Sequence, residues 1–220
     1  MNRMVGMILL GTVACSAPAA RPPTAREPVR TGFSVPASQS GTLLLARGLL
    51  QFAPCGTTGD GNIVTDRSDG EGAALMRDLA PGGGRVTALV RVEHDSLIEV
   101  RYAGPEGPTC TTLPPAGDLN AVGEEPFWHL RIAGDSARLR TPEDTAGTSW
   151  HGGTWQSEAN DWHFVAAGVG GDTVRVVLRA ERCTDGMSGA RYPFHATVNG
   201  NGVVLQGCGL EGQGAMRAAP

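Results

Sequence analysis

Apolar residues recur along this chain in short runs of alternating pattern, each ended by Gly, Pro, Asn or Asp. Alternation with a period of two places every second side chain on one face, which is the signature of a half-buried strand. Val86, Ala88, Val90 and Val92 alternate with polar or exposed partners, and His94-Asp95-Ser96 turns the chain into Leu97–Tyr102, predicting a hairpin. Upstream, Leu43, Leu44 and Leu45 followed by Leu49, Leu50 and Phe52 read as one long or broken strand. Pro54, Cys55, Gly56 and the stretch to Asn62 turn the chain, and Ile63 and Val64 start a short strand. One segment has helical spacing: Glu71 to Leu79 carries Ala74, Leu75 and Leu79 on one side, with Gly and Pro just beyond. Residues 41–116 are therefore expected to form a small β-rich domain with one helix, a twisted sheet or partly open barrel.

The pattern continues without helices. Phe127–Ile132 alternates, Gly134-Asp135 turns into Ala137–Arg140, and Trp150, Trp155, Trp162 and Phe164 follow between Gly and Asn-Asp turns. Thr173–Leu178 is rich in Val, Tyr192–Val198 alternates, and Asn199-Gly200-Asn201-Gly202 leads into Val203-Val204-Leu205. Residues 117–212 are expected to form an all-β domain, an antiparallel barrel or sandwich, with 213–220 as a tail. The fold class is mainly β, in two small domains.

Composition narrows the chemistry. The 220 residues include 32 Gly and 15 Pro, which suits short strands and turns better than long helices. Net charge is −4 and the 18 basic residues, every one Arg, form no dense run, so no nucleic-acid footprint is visible. A chain without lysine has no Schiff-base nucleophile and no phosphate loop of the Walker type, so Pro81-Gly82-Gly83-Gly84-Arg85 reads as a turn.

The first residues read as an address. Arg3 precedes a short apolar stretch, Val5 to Leu10, far short of the roughly 20 residues needed to span a bilayer, so 1–14 reads as a signal peptide. Thr12-Val13-Ala14-Cys15 resembles the lipobox of bacterial lipoproteins, with Thr12 where an aliphatic residue is usual. The resemblance implies lipidation of Cys15, and Ser16 after it implies outer-membrane sorting in a Gram-negative cell, facing the periplasm. The alternative is an ordinary secretory signal cleaved after Ala17, Ala19 or Ala20. From Cys15 to residue 40 the chain is rich in Ala, Pro, Ser, Thr and Arg and reads as a tether.

Setting Cys15 aside leaves Cys55, Cys110, Cys183 and Cys208, an even number in a chain that reads as exported. Four cysteines allow three pairings; pairing within each domain would give Cys55–Cys110 and Cys183–Cys208. No two sit at the C-x-x-C spacing of a zinc site, and no cofactor is expected.

Two motifs bracket the second domain. Gly123-Glu124-Glu125-Pro126-Phe127-Trp128 resembles the G-x-E-P-F-W opening of a family of uncharacterised bacterial lipoproteins and exported proteins. Cys183-Thr184-Asp185-Gly186-Met187-Ser188, Tyr192-Pro193-Phe194 and Gly207-Cys208-Gly209 resemble its closing C-D-x-M-S…Y-P…G-C-G segment. The resemblance implies export, a β-rich domain and a Cys183–Cys208 bridge, with no established activity. Phe52-Ala53-Pro54-Cys55-Gly56 is similar to a segment of lipoproteins of this kind.

Few residues suggest a site. His129, His151, His163 and His195 each follow an aromatic residue, so on strands they would face outward from an aromatic core; solvated imidazoles are expected over a shared metal. Asp66, Asp69, Glu71 and Asp78 flank the helix and suit capping better than calcium. His94, beside a turn, is expected in solvent. Ser188-Gly189-Ala190-Arg191-Tyr192 is similar to a loop of exported inhibitors of C-type lysozyme, which makes Ser188, Arg191 and Tyr192 a candidate ligand or inhibitory loop. Gly207–Gly212 fits G-x-G-x-x-G without the βαβ unit it needs, and Ser149–Gly153 lacks a nucleophile elbow. Glu124 and Glu125 diverge on an extended chain and make no acid/base pair with each other. The expected function is that of a non-enzymatic cell-envelope lipoprotein, a binding, sensing or stress-related module held at the membrane by its lipid, with an unknown envelope ligand or protein as partner. A lysozyme-inhibitor-like protein and a small envelope enzyme are the alternatives.

Overall fold

The computed structural model describes residues 32–33, 35–59, 61–105, 107–200 and 202–216. Cys15, the expected signal peptide and most of the expected tether lie outside them. The elements run β1 (Gln39–Ala46), β2 (Leu49–Pro54), β3 (Asn62–Ile63), β4 (Thr65–Asp66), α1 (Glu71–Leu79), β5 (Arg85–Glu93), β6 (Ser96–Gly104), β7 (Leu119–Glu124) and β8 (Phe127–Ala133). They continue with β9 (Ser136–Arg140), β10 (Thr148–Glu158), β11 (Asp161–Gly168), β12 (Thr173–Arg179), β13 (Cys183–Thr184), β14 (Arg191–Tyr192), β15 (Phe194–Gly200) and β16 (Val203–Glu211). The described residues are mainly β, with one helix, a closed antiparallel barrel of eight strands and a second sheet.

The barrel closes in the order β10-β11-β12-β15-β16-β7-β8-β9. Along β8, β12 and β15 every second residue is buried, so the inward set fills the lumen. Trp150, Phe164, Leu130, Ile132, Val176 and Leu178 make it a packed core, as expected of eight strands, whose interior is just wide enough for side chains. Phe33 and Val35, within the stretch expected as tether, belong to this core. The Phe33 ring stacks on Trp155 at 4.7 Å and meets Trp162 edge-on at 5.2 Å. Val35 bridges Met216, so residues 213–216, expected as tail, also join the fold.

The second sheet runs β13-β14-β6-β5-β1-β2-β3, with β4 parallel to β6. The leucine-rich run is broken into two strands: Arg47 (φ 52) and Gly48 (φ 78) form a tight turn with both central residues left-handed, and Leu45 pairs with Leu50. His94 and Asp95 make the equivalent turn between β5 and β6, with His94 exposed. Helix α1 covers one face with Leu75 and Met76 against Leu43, Val86, Val90 and Leu97. Its start is held by Asp66, whose carboxylate accepts from Ser68 and the Ala73 amide. Burial works to raise the Asp66 pKa, and these hydrogen bonds outweigh it and hold it below the ordinary value.

Leu89 departs from the expected alternation because the other face of β5 is also covered. With Tyr102, Tyr192, Cys183, Cys208 and Leu210 it forms a cluster between the sheet and the barrel. Strands β13 and β14 come from the second half of the chain and extend the sheet of the first, with Arg191 paired to Ala103. The disulfide Cys183–Cys208 fastens β13 to β16 of the barrel, while Cys55–Cys110 ties β2 to the segment after β6. An ion pair crosses the same junction: Arg101 Nε of β6 meets Glu211 Oε1 of β16 at 2.7 Å, and Glu211 has no exposed surface. Such disulfides suit an oxidising, exported environment. Among the described residues no helix is long and apolar enough to cross a membrane.

Candidate functional site

The two motifs that bracket the barrel sequence meet in space. Strands β7 and β8 are joined by Glu125-Pro126, which leaves Glu124 paired with Phe127 at the tip of the hairpin. The loop after β13, Asp185–Ser188, folds over this tip. Between them lies a cleft of about 560 Å³, closed on one side by Tyr192 and Gly107 and on the other by Arg140, Thr141 and Pro142. That volume falls within the range of small-molecule sites. Its lining is mostly apolar, and Phe127 and Met187 stand at its rim with 53% and 73% of their surface exposed.

Each wall has a local cause. Trp128 alternates inward from Phe127 and is buried, its indole lying across β7 and β16. It fits because Gly123 and Gly207 have no side chain: a Cβ on Gly123 would stand 2.1 Å from Trp128 Nε1, and one on Gly207 would be 1.9 Å from the Val122 carbonyl oxygen. Tyr192 is buried against Tyr102 with ring centroids 5.1 Å apart. Burial, with Asp185 and Glu124 nearby, pushes the Tyr192 phenol up to about 12, so it stays protonated and uncharged.

The loop is held by a carboxyl pair that spans the two motifs. Asp185 Oδ1 accepts the Ser188 amide at 2.7 Å, the Ser188 hydroxyl at 2.8 Å and the Met187 amide at 3.1 Å. Glu124 Oε1 accepts the same Met187 amide at 2.8 Å. The two side chains also hydrogen-bond to each other, which raises the Glu124 pKa. For Asp185, burial works to raise the pKa, but the bonds from Glu124, Ser188 and Met187 prevail and lower it. Of the two, Glu124 is the one whose protonated form is favoured and Asp185 the one whose ionised form is favoured. The pair is a latch between hairpin and loop, with Glu124 Oε1 and Asp185 Oδ1 engaged by loop donors.

On the opposite wall, register places Val122, His129 and Arg140 side by side across β7, β8 and β9. Asn120 Nδ2 donates to the Ala116 carbonyl, so its Oδ1 accepts from His129 Nε2 at 3.2 Å. Burial first, then the charges of Arg140 and Arg131, lower the His129 pKa and favour the neutral ring.

Of the residues named from the sequence, Ser188 and Tyr192 line the cleft, but Arg191 turns away. Its guanidinium donates to Thr184 Oγ1 and lies 3.8 Å from Asp78 on α1. Cys55, Cys110, Cys183 and Cys208 are all in disulfides. His129, His151, His163 and His195 sit on β8, β10, β11 and β15, and among the described residues no three metal-ligating side chains gather at one place. Sequence reasoning did not single out Glu124, Phe127, Trp128, Asp185 or Met187 as a site. The signal was present in the two motifs, read there as marks of a family rather than as two walls of one cleft. Comparison with protein-family models, with curated proteins and with solved structures gives no match to this chain.

Proposed function

We propose that this protein is an exported, non-enzymatic binding module that receives a small amphipathic ligand in the cleft between the β7–β8 hairpin and the Asp185–Ser188 loop. One observation carries the reading: both motifs converge on a single mostly apolar cleft whose rim exposes Phe127 and Met187. Large apolar side chains at the mouth of a concave site favour association with apolar matter. The carboxyl pair supports binding over hydrolysis. Glycosidase carboxyls flank their bond at a separation of about 5 Å or more, whereas Glu124 and Asp185 bond directly to each other and to the loop amides. The lysozyme-inhibitor alternative draws less support, because Arg191 is engaged with Thr184 and Asp78. In the proposed setting the signal peptide directs export and is removed, and the lipid on Cys15 holds the protein at the outer membrane facing the periplasm.

The test is a tryptophan-fluorescence titration of the purified protein with short-chain amphiphiles below their micellar concentration. Saturable binding that weakens about tenfold or more in Phe127→Ser, a loss of roughly 1.4 kcal/mol, is expected. No saturable change in the unaltered protein would sink the proposal.

A further inference from the structure

The outer face of β8 and β9 continues the basic wall of the cleft. Arg131 stands directly opposite Arg138, and His129 directly opposite Arg140. Residues two apart share a face, so these four side chains form one patch, spaced about 5 Å across the strands and about 7 Å along them. Trp128, Leu130, Ile132, Ala137 and Leu139 point the other way, into the barrel. All three arginines are exposed. Among the described residues none of them forms an ion pair. Like charges directly opposite on neighbouring strands destabilise a sheet. Here the chain, with net charge −4, concentrates three positive charges where they repel one another. An anion bound among them would relieve that repulsion.

The remaining charges of the cleft do not compete for this role. Glu124 and Asp185 are spent on the Met187 and Ser188 amides and on each other. By strand spacing, the backbone at Glu124 lies about 12 Å from that at Arg140, two strands across and one two-residue step along. Between them are Phe127, Val122 and Trp128. The cleft is thus apolar toward the latch and basic toward β9, with the arginine patch open to solvent beyond Arg140.

We infer that the ligand is a single-chain anionic amphiphile, its chain lying along Phe127 and Met187 and its phosphate-class head group held by Arg140, Arg138 and Arg131. Guanidinium groups suit phosphate because their planar N–H donors bond its oxygens in pairs. Protonated His129 would add a donor at Nδ1, since Nε2 is engaged with Asn120. This inference rests on the cleft being a binding site and names its ligand class.

The experiment compares decyl phosphate, decyl glucoside, decyltrimethylammonium and inorganic phosphate by calorimetry on the full chain, below micellar concentration. Decyl phosphate is expected to bind about tenfold or more tightly than the glucoside at low salt, with the gap narrowing as salt rises. Arg140→Gln and Arg138→Gln should each close much of that gap without lowering Tm, because both side chains are exposed and unpaired. The His129 imidazole, followed by NMR, should titrate at higher pH with decyl phosphate bound. Equal binding of glucoside and phosphate, or tighter binding of the ammonium compound, overturns the head-group assignment while leaving the cleft intact. Absence of binding by every decyl compound overturns both. Sedimentation with phosphatidylglycerol vesicles that depends on the arginines but not on Phe127 would reassign the patch to a membrane surface and overturn the inference.

Discussion

Arg101 and Glu211 should hold the sheet and the barrel together as one folding unit, and replacing one partner should show it. Glu211 has no exposed side-chain surface and Arg101 only 13%, so both charges have left water. Burial opposes the Arg101 charge, but Glu211 and Glu99 more than restore it, and its pKa rises above the ordinary value. At an effective dielectric of about 20, unit charges 4 Å apart attract by about 4 kcal/mol, comparable with the desolvation they offset. Arg101→Met keeps an apolar stem beside Phe194, whose ring centroid lies 5.2 Å from the guanidinium carbon, but leaves Glu211 buried and uncompensated. The expected loss is about 3–5 kcal/mol, which for a chain of this size lowers Tm on the order of 10 °C. The double variant Arg101→Met/Glu211→Leu removes both charges and should recover most of that loss. Thermal unfolding followed by near-ultraviolet circular dichroism reads both. A single variant costing less than about 1 kcal/mol, or a double variant as unstable as the single, would refute the claim that the pair spans a dry junction.

Further outcomes follow from the cleft and its supports. Gly123→Ala places a methyl 2.1 Å from Trp128 Nε1 and should cost about 1–3 kcal/mol while shifting tryptophan emission; an unchanged spectrum and Tm would show that the indole is not seated there. Replacing Cys183 and Cys208 together by Ser should cost about 3–4 kcal/mol for a loop of 25 residues, measured by urea unfolding. The Glu124–Asp185 latch has a pH signature. Glu124's raised pKa means its contribution is full below its unfolded value and fades as pH rises through the folded one. Asp185's lowered pKa means its contribution is present above its unfolded value and fades as pH falls through the folded one. Glu125, Tyr192 and Tyr102 are the other titratable groups nearby, and Tyr192 titrates only near 12. Amide-exchange protection at Met187 and Ser188, corrected for intrinsic exchange, should therefore peak in mild acid and weaken toward the alkaline side. Glu124→Gln, which keeps a donor toward Asp185 at every pH, should flatten the alkaline arm; an unaltered profile would count against the shared proton.

The strands of the barrel were legible in the sequence because they alternate cleanly, which left a barrel and a sandwich both open. Leu130 and Ile132, or Val174, Val176 and Leu178, fall on one face without interruption, and Gly134-Asp135 or Asn160-Asp161 mark the turns. Helix α1 runs over the expected Glu71–Leu79, where apolar residues recur at helical spacing. The Arg47-Gly48 turn was only half visible: the leucine run read as one long or broken strand, and Arg seldom takes a left-handed conformation, so nothing marked the break. The docking of Phe33 was hidden in the same way: one aromatic in a Pro- and Ser-rich stretch looks like tether until Trp155 is there to receive it. The cleft was the least legible feature. Glu124 and Asp185 are separated by 60 residues of sequence, and only closure of the barrel between β16 and β7 brings their motifs together.

The most direct test of the account is a backbone-amide chemical-shift map of the protein during titration with decyl phosphate. The account predicts fast or intermediate exchange shifts concentrated at Val122–His129, Arg138–Pro142 and Asp185–Ser188, with the amides around Phe33 and Trp155 at the barrel core unmoved. Shifts centred on Phe33 and Trp155, spread evenly over the surface, or absent at saturating ligand would contradict the assignment of the cleft as the binding site.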